Sequence, residues 1–418
     1  MHNRKILFIL PWLPYPLNSG GKQAIFNGIA AISKEMEIYI TYPEDSITPQ
    51  VAEKQALTQA AEGNIKILPY ITVKQTPHWT IGERISGRIQ RQLNKLWPPR
   101  PKHQNPFSYW IDELLPKPKA FIDHVIGIID QYHIDIVQSE MLRNLAFVHS
   151  LPSTVKTVFV HHELGFVRHQ LELATLSDND FDGQAYARSS KALEIEQLNR
   201  YDCVVTLSPI DSKKLKDAGV TTVIQDSFAI VRKHDQPSAI SQDVHQLTFV
   251  GPDVHGPNFL GITWFLENCW NQLLEQDANY HLTIIGKWSE KNINALSSQY
   301  RNLSFAGFVE NLEAALSNTI MIVPITVGSG IRMKILEAAS IGVPFISTSV
   351  GAEGIPVVSG RHCLIADTPA DFVSSIMQMQ NVTLRTVCHQ NARQMVEERY
   401  SIEALTANRL NIYNSLFE

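Results

Sequence analysis

Two successive α/β domains of similar size, each a parallel sheet wrapped in helices and facing the other across a cleft, are what this sequence predicts. Three observations carry that expectation. Short apolar runs such as Lys5–Leu10 and Ile320–Val323 recur between stretches of helical periodicity, the pattern of strands buried on both faces of a parallel sheet. The alternation fades near Ile224–Asp235 and starts again at Leu247. A chain of 418 residues is also too long for a single ordinary core. The boundary falls around Arg232–Asp243, giving domains over residues 1–232 and 233–400, and a last helix over 401–418 that packs back on the first domain.

Composition narrows the class. Hydrophobic residues make up 44% of the chain and charged residues 18%, as in a well-packed globular protein. Lys and Arg number 36 against 41 Asp and Glu, a net charge of −5, so no global positive field exists for nucleic acid. Cys203, Cys269, Cys363 and Cys388 are scattered without Cys-x-x-Cys spacing. That argues against a zinc site or a disulfide framework and fits a reducing compartment. Arg4-Lys5 precede an apolar run, but Ile6–Leu10 is short and Pro11, Pro14 and Pro16 break it; it reads as a strand rather than an export signal. With no run of eighteen apolar residues to span a bilayer, a cytoplasmic location is expected.

The strands of the first half are Lys5–Leu10, Glu37–Tyr42, Ile65–Pro69, Ile134–Gln138, Thr157–Val160 and Cys203–Leu207. Helices run from Lys22, near Pro49–Ala61, over Lys119–Gln131 and over Gln184–Arg200. Gly20-Gly21 then lies at the carboxyl end of the first strand, where α/β folds take ligands. There is no Gly-x-Gly-x-x-Gly fingerprint, and a plain turn is the equal alternative. Thr157–Val160 runs into His161-His162-Glu163. Adjacent strand residues face opposite ways, so at most one histidine enters a given pocket, and no third ligand at metal spacing stands nearby. Asp178-Asn-Asp-Phe-Asp182 offers an Asp-x-Asp spacing but follows no strand and reads as a solvated loop. No metal site is expected.

Residues 76–118 interrupt the alternation. Arg84, Arg88, Arg91 and Lys95 share one helical face there and Ile81, Ile85, Ile89 and Leu93 another, ahead of Trp97-Pro-Pro-Arg-Pro101. A solvated basic face is the plain reading. Contact of residues 81–101 with an anionic acceptor, or with the cytoplasmic face of a membrane, is the sharper one.

In the second half, Leu247–Val250, Leu282–Ile285, Leu303–Phe305, Ile320–Val323 and Gly342–Ser347 read as strands, and Asn258–Leu274 as a helix. The most informative stretch is Pro324-Ile-Thr-Val-Gly-Ser-Gly-Ile-Arg-Met-Lys-Ile-Leu-Glu337. A buried strand ends at a proline, a turn holds Gly328 and Gly330, and a helix starts near Ile331. Free N–H groups at a helix N-terminus favour an anion, and a glycine turn leaves room for a phosphate or a sugar. Arg332 and Lys334 put two cations in the first helical turn, where the helix dipole disfavours them. A bound anion explains both. Glu337 follows about one and a half turns after Arg332. The plain alternative is an ordinary βα loop with a solvated charged face.

On "TFVGPDVHGPNFLGITWF", "LTIIGKW", "LSFAGFVENLEAAL" and "IVPITVGSGIRMKILEAASIGVPFISTSVGAEGI", spread over about 245–400, the chain resembles the family 4 retaining glycosyltransferases (glycosyl transferases group 1). "KILFILPWLPYPLNSGGKQ", "VFVHHELGFVR" and "YDCVVTLSPID" extend the resemblance to the amino half, with residues 73–118 outside it. The resemblance implies the GT-B fold, two Rossmann-like domains facing across an interdomain cleft. It implies an acceptor-binding amino domain and a carboxyl domain that binds a nucleotide-diphosphate sugar, UDP- or GDP-type, as co-substrate and without a metal. The acceptor would be a glycan or lipid-linked sugar, as in surface polysaccharide synthesis. By the same resemblance, Arg332 and Lys334 neutralise the diphosphate leaving group and Glu337 holds the ribose hydroxyls. Gly328, Ser329, Gly330 and Ile331 meet the sugar or phosphates, and Phe308-Val309 the base. Gly20 and Gly21 approach the donor phosphates across the cleft, and His162, or less favourably His161, contacts the transferred sugar.

Two departures stand out. Ser329 occupies the position, eight residues before Glu337, where many members carry a first glutamate. Gly251-Pro-Asp-Val-His-Gly256 replaces the family's Gly-Arg…Lys-Gly, which leaves the diphosphate charge to Arg332 and Lys334. An epimerase or hydrolase on the same fold, or a non-catalytic accessory protein, are the competing functions. The first lacks a recognisable ring of carboxylates and histidines beyond His161, His162, Glu163 and Glu353; the second leaves the two cations unexplained.

Overall fold

The computed structural model describes residues 4–17, 19–46, 50–72, 108–173, 181–226, 244–328 and 330–418. The amino half contributes β1 (Lys5–Ile9), β2 (Glu37–Thr41), β3 (Pro43–Asp45), β4 (Ile65–Ile67), β5 (Tyr70–Thr72), β6 (Ile136–Glu140), β7 (Lys156–His161), β8 (Cys203–Thr206) and β9 (Val223–Gln225). Seven of these form one sheet in the order β4-β2-β1-β6-β7-β8-β9, and β3 pairs with β5 at its margin. The carboxyl half contributes β10 (Gln246–Val250), β11 (His281–Ile285), β12 (Leu303–Gly307), β13 (Ile320–Val323), β14 (Phe345–Ser347) and β15 (Leu364–Ile365). Their six-stranded order is β12-β11-β10-β13-β14-β15.

Every pairing in the two large sheets is parallel. Counted along the chain, both sheets begin 3-2-1-4-5-6, the doubly wound order. Such a sheet opens a crevice beyond the carboxyl ends of its first and fourth strands, because the connections from those two strands leave to opposite faces. Each domain is thus a Rossmann-like unit of the GT-B fold.

The helices of the amino half are α1 (Gly20–Ile32), α2 (Val51–Ala60), α3 (Lys119–Tyr132), α4 (Gly165–Leu173), α5 (Phe181–Leu198) and α6 (Pro209–Asp217). The longer helices of the carboxyl half are α7 (Gly256–Phe265), α8 (Glu290–Gln299), α9 (Met333–Ile341), α10 (Pro369–Gln378), α11 (Val382–Arg399) and α12 (Ile402–Ser415). Their starts follow from local chemistry. Ser19, Ser208, Thr368, Asn381 and Ser401 each accept a backbone N–H of the first turn, and Pro209 and Pro369 open their helices, as caps and N1 prolines do.

Several boundaries differ from the sequence reading. Gly20 and Gly21 are the first two residues of α1 rather than a turn before it. The helix expected over Asn258–Leu274 starts at Gly256 and contains a π-helical turn at Leu266–Trp270, where Leu266, Cys269 and Trp270 turn into the core. A 3-10 stretch over Leu142–Ser150 and helix α4 were not expected. The domain boundary expected around Arg232–Asp243 and the basic face over 81–101 lie outside the described residues.

After α11 the chain leaves the carboxyl domain and α12 lies against α1. Leu405, Ile412 and Tyr413 are buried there, each aliphatic worth about 1.5–3 kcal/mol in removed apolar surface. Polar ties fix the register: Thr406 Oγ1 donates to the Ala31 carbonyl at 2.7 Å and Arg4 to Asn414 at 2.8 Å. The Arg409 guanidinium pairs with Asp226, both nearly inaccessible. Burial works against the Arg409 charge, but Asp226, with Tyr413 and Glu140, outweighs it and raises its pKa. Arg409→Met strands the buried Asp226 carboxylate and should cost about 3–5 kcal/mol, whereas Asp226→Leu combined with Arg409→Met should recover most of the loss. Denaturant midpoints read both; a double variant no better than the single one would show that α12 depends on something other than this pair.

Candidate active site

The two crevices face one another. A β-carbon on Gly20, at the start of α1, would lie 2.9 Å from Met333 Cγ at the start of α9. One on Gly330 would lie 3.7 Å from the His162 carbonyl oxygen, and one on Gly354 3.0 Å from Ser208 Cβ. The loops after β1, β7 and β8 therefore touch the loops after β13 and β14, and side chains at these points would hold the walls apart. Gly328 and Gly330 also sit at φ +112° and +82°, conformations in which a β-carbon is strained.

The cation pair is built by the turn between β13 and α9. Arg332 is the residue that precedes α9, with extended backbone, rather than a member of its first turn. It is buried, and its Nη1 donates to the Gly330 carbonyl at 2.6 Å, which ties the guanidinium to the glycine turn. Burial pushes its pKa down, opposed by Glu353, Glu163 and Asp211; the last two come from the amino domain. Lys334 belongs to the first turn. Its Nζ donates to Asn258 Oδ1 at 2.8 Å and stands 4.1 Å from the centre of the Phe249 ring. Desolvation, with Arg332 nearby, pushes the ammonium down to about 7 against a weaker pull from Glu337. Lys334 is largely buried without being sealed off, so an anion placed against it would meet a cation already stripped of water. Desolvated cations of this kind bind anions far more strongly than exposed ones.

The histidines part company. His161 is fully buried, its Nε2 2.9 Å from Glu194 Oε1, and Glu194 also accepts from the backbone N–H groups of Gly165 and Phe166. His161 therefore fastens α4 and α5 to the sheet and, fully buried against Glu194, faces away from the cleft, as strand alternation requires. His162 lies on the cleft side, with Nε2 2.6 Å from Glu140 Oε2. Glu163 follows at the mouth, with 48% of its side chain exposed. Partial desolvation raises its carboxyl pKa against the pull of Arg168, His161 and Arg332.

Of the other residues singled out by sequence, Gly20 and Gly330 meet the opposite wall, whereas Gly21 lies by Met141 and Trp12, Gly328 by Arg332 and Pro257, and Ile331 by Gly354, each within its own domain. Glu337 lies one turn past Lys334 on α9 and half-buried. Phe308 is 75% exposed at the carboxyl end of β12, and Val309 packs on the core beside it. Ser329 and the pair Asp178 and Asp180 lie outside the described residues. Among the described residues, no group of three or more His, Cys, Asp or Glu side chains is gathered as a metal site.

Sequence reading missed Asn258, the buried partner of Lys334. A polar residue two places into an otherwise apolar helix was the available signal. It also missed His255, exposed on the same loop, which desolvation together with Lys334 and Arg332 holds below the usual imidazole range. Beside the glycine turn opens a cavity of about 420 Å³, walled by Val167 and Lys214 from one domain and Thr326, Gly328, Val350 and Glu353 from the other. Lys214 and Glu353 approach to 3.7 Å across it.

Comparison with known proteins agrees with this fold. Residues 244–381 match the family described as Glycosyl transferases group 1. The sucrose-phosphate synthase of Thermosynechococcus elongatus superposes with a TM-score of 0.71 over 99% of both chains at 16% identity. HepE of Anabaena, solved in complex with UDP, gives 0.64 over 98% of this chain and 100% of that one at 12% identity. TarM of S. aureus, in complex with fondaparinux, α-GlcNAc-glycerol and UDP, gives 0.65 over 98% and 100% at 11% identity. A Klebsiella pneumoniae protein described as an uncharacterized 44.6 kDa protein in the cps region is 25% identical over 187 residues. That match spans 42% of this chain and 46% of the Klebsiella protein, so it covers less than half of either. The resemblance to glycosyl transferases group 1 read from the sequence is borne out over residues 244–381, and so is the GT-B fold.

The Lys334 environment makes a pH prediction. Its folded pKa, about 7, lies below the lysine value of about 10.4 expected in the unfolded chain. Between those values the unfolded chain binds more protons, so the parent's stability rises with pH across that window. Lys334→Met lacks the term. Relative to that variant the parent should gain stability steadily from about pH 7 to about pH 10, read as denaturant midpoints. A difference between the two that stays flat over this range contradicts the desolvated ammonium.

Proposed function

We propose that this chain is a retaining glycosyltransferase that moves a sugar from a UDP- or GDP-type nucleotide-diphosphate sugar to a glycan or lipid-linked acceptor during surface polysaccharide synthesis. One observation carries the reading: the segment that holds Arg332 and Lys334 meets the start of α1 through Met333 and the His162 backbone through Gly330, where the crevices of two doubly wound sheets face each other. The solved complexes of HepE with UDP and with UDP-glucose, and the cps-region relative, support donor class and pathway.

In this reading the diphosphate lies against Arg332 and Lys334, flanked by Gly328, Gly330 and Ile331, with Gly20 and Gly21 opposite. As the bond between sugar and diphosphate breaks, negative charge grows on the leaving group. Two cations already in place stabilise that charge without reorganising, and they take the part a divalent metal plays elsewhere. Glu337 accepts the ribose hydroxyls, Phe308 and Val309 flank the base, and His162 contacts the transferred sugar. The acceptor enters from the amino domain, where the cavity between Lys214 and Glu353 is of a size that holds small ligands. The protein works in the cytoplasm. No helix among the described residues is long and apolar enough to cross a membrane. A panel of nucleotide sugars with and without acceptors, each with and without chelator, tests the reading; transfer that stops on chelation would remove the metal-free part of it.

Arg332→Ala should lower kcat by about 10²–10³, the usual cost of one preorganised charge-stabilising donor. Arg332→Lys should recover only part of it, since an ammonium cannot reproduce a two-pronged guanidinium contact. His162→Ala should slow transfer while leaving affinity for the free nucleoside diphosphate near the parent's. If it weakens that affinity as much as Arg332→Ala does, the division of diphosphate and sugar between the domains is wrong. Glu337→Gln loses a charged hydrogen-bond partner and should cost about 1.5–3 kcal/mol of donor affinity, measured by calorimetry. A variant that melts early yet binds donor normally would assign Glu337 to the fold instead.

A further inference from the structure

The side chain of His162 is held by a chain of hydrogen bonds that begins on the last helix. Tyr413, on α12, donates its hydroxyl to Gln138 Oε1 at 2.6 Å. Gln138 Nε2 donates to Glu140 Oε1 at 2.5 Å, and Glu140 Oε2 lies 2.6 Å from His162 Nε2. Tyr413, Gln138 and Glu140 are 1–3% exposed, so water is not available to replace any link. Arg409, about one turn of helix before Tyr413 and paired with Asp226, braces the same helix beside Tyr413 and Glu140.

The chain has a direction. A carboxylate only accepts, so the amide nitrogen of Gln138 must face Glu140. The amide oxygen then faces Tyr413, whose hydroxyl must donate. Reversing the amide would set oxygen against carboxylate in a buried site, at the full cost of an unmade bond. With one Glu140 oxygen taken by Gln138, the other receives the proton of His162 Nε2. In the neutral imidazole Nδ1 is then the bare nitrogen.

We propose that Tyr413, Gln138 and Glu140 are positioning residues that fix the proton of His162 on Nε2, so that His162 meets its ligand through Nδ1 as a hydrogen-bond acceptor and selects a sugar hydroxyl that donates. This rests on the reading that His162 touches the transferred sugar, but the proton position itself is a property of the free protein. The effect is the one a buried carboxylate exerts on a catalytic imidazole, where exchanging carboxylate for amide keeps the geometry and selects the wrong tautomer.

The test uses the full chain with ¹⁵N-labelled histidine, and long-range ring spectra recorded where the imidazole is neutral. The His162 signals are assigned by their loss in His162→Gln. The parent should carry the proton on Nε2, and Glu140→Gln, whose amide can donate to that nitrogen, should move it to Nδ1. Tyr413→Phe should leave donor KM and nucleoside diphosphate affinity unchanged and lower kcat by about 10–100-fold, the usual cost of losing an outer orienting group. That loss should vanish when Tyr413→Phe is placed on the Glu140→Gln background, because both act through one imidazole. A parent proton on Nδ1, or a ring spectrum unmoved by Glu140→Gln, overturns the proposal. So does a Tyr413→Phe loss of equal size on both backgrounds. Should Tyr413→Phe not fold, the Glu140→Gln spectrum decides alone. If no sugar is transferred under any condition, the spectra still decide the proton position, and the transferase reading falls separately.

Discussion

Two cations kept out of water at the carboxyl end of β13 set the terms for the rest of the carboxyl domain. Burying a charge is costly unless a partner lies within reach, and the pull of Glu337 on the Lys334 ammonium is weaker than the cost of burying it. The ammonium also has one amide oxygen from Asn258 and the face of Phe249. Asn258 can be there only because α7 starts at Gly256, straight after β10. Arg332 in turn leans on the backbone of the glycine turn. Three carboxylates favour its charge, and two of them, Glu163 and Asp211, belong to the facing domain. An anion placed against the two cations would relieve the cost of burying them, and a site of this kind gives up stability to hold its charges ready.

The fold was legible because its strands are buried on both faces. KILFI, CVVT and IMIV read as strands with no alternation to interpret, and their spacing by helical stretches left a parallel sheet as the only economical arrangement. Arg332, Lys334 and the glycines near them were legible for a different reason. They break local rules, cations at a helix start and glycines before it, and broken rules tend to mark function. What stayed hidden depends on contacts distant in sequence. Periodicity could not decide whether His161 or His162 faces the cleft, because the answer lies in Glu194 and Glu140. Nor could it find the π-turn at Leu266–Trp270, whose gain is a Trp270 indole that reaches the Arg301 carbonyl at 2.9 Å.

The polar interior of the amino domain shows how far apart in sequence such contacts can be. Glu140 and Gln138 sit on a central strand, and their partners come from β7 and from α12. Without α12 the Gln138 oxygen would be a buried acceptor lacking a donor. The sheet is therefore finished by residues that follow the whole carboxyl domain in the chain, and folding of its polar core waits on a contact separated by 275 residues. Long-range closures of this kind are slow to form, since loop entropy must be overcome before the contact rewards it.

The return of α12 to the first sheet has a mechanical consequence. The chain crosses between the domains twice, once between Asp226 and Val244 and again at Tyr400–Ser401, where Tyr400 is buried and Ser401 caps the returning helix. A body tied to its neighbour at one point swivels freely, but a body tied at two points swings about the line that joins them, like a door on two pins. The approach of Gly20 to Met333 and of Gly330 to His162 is then the latch side of that door.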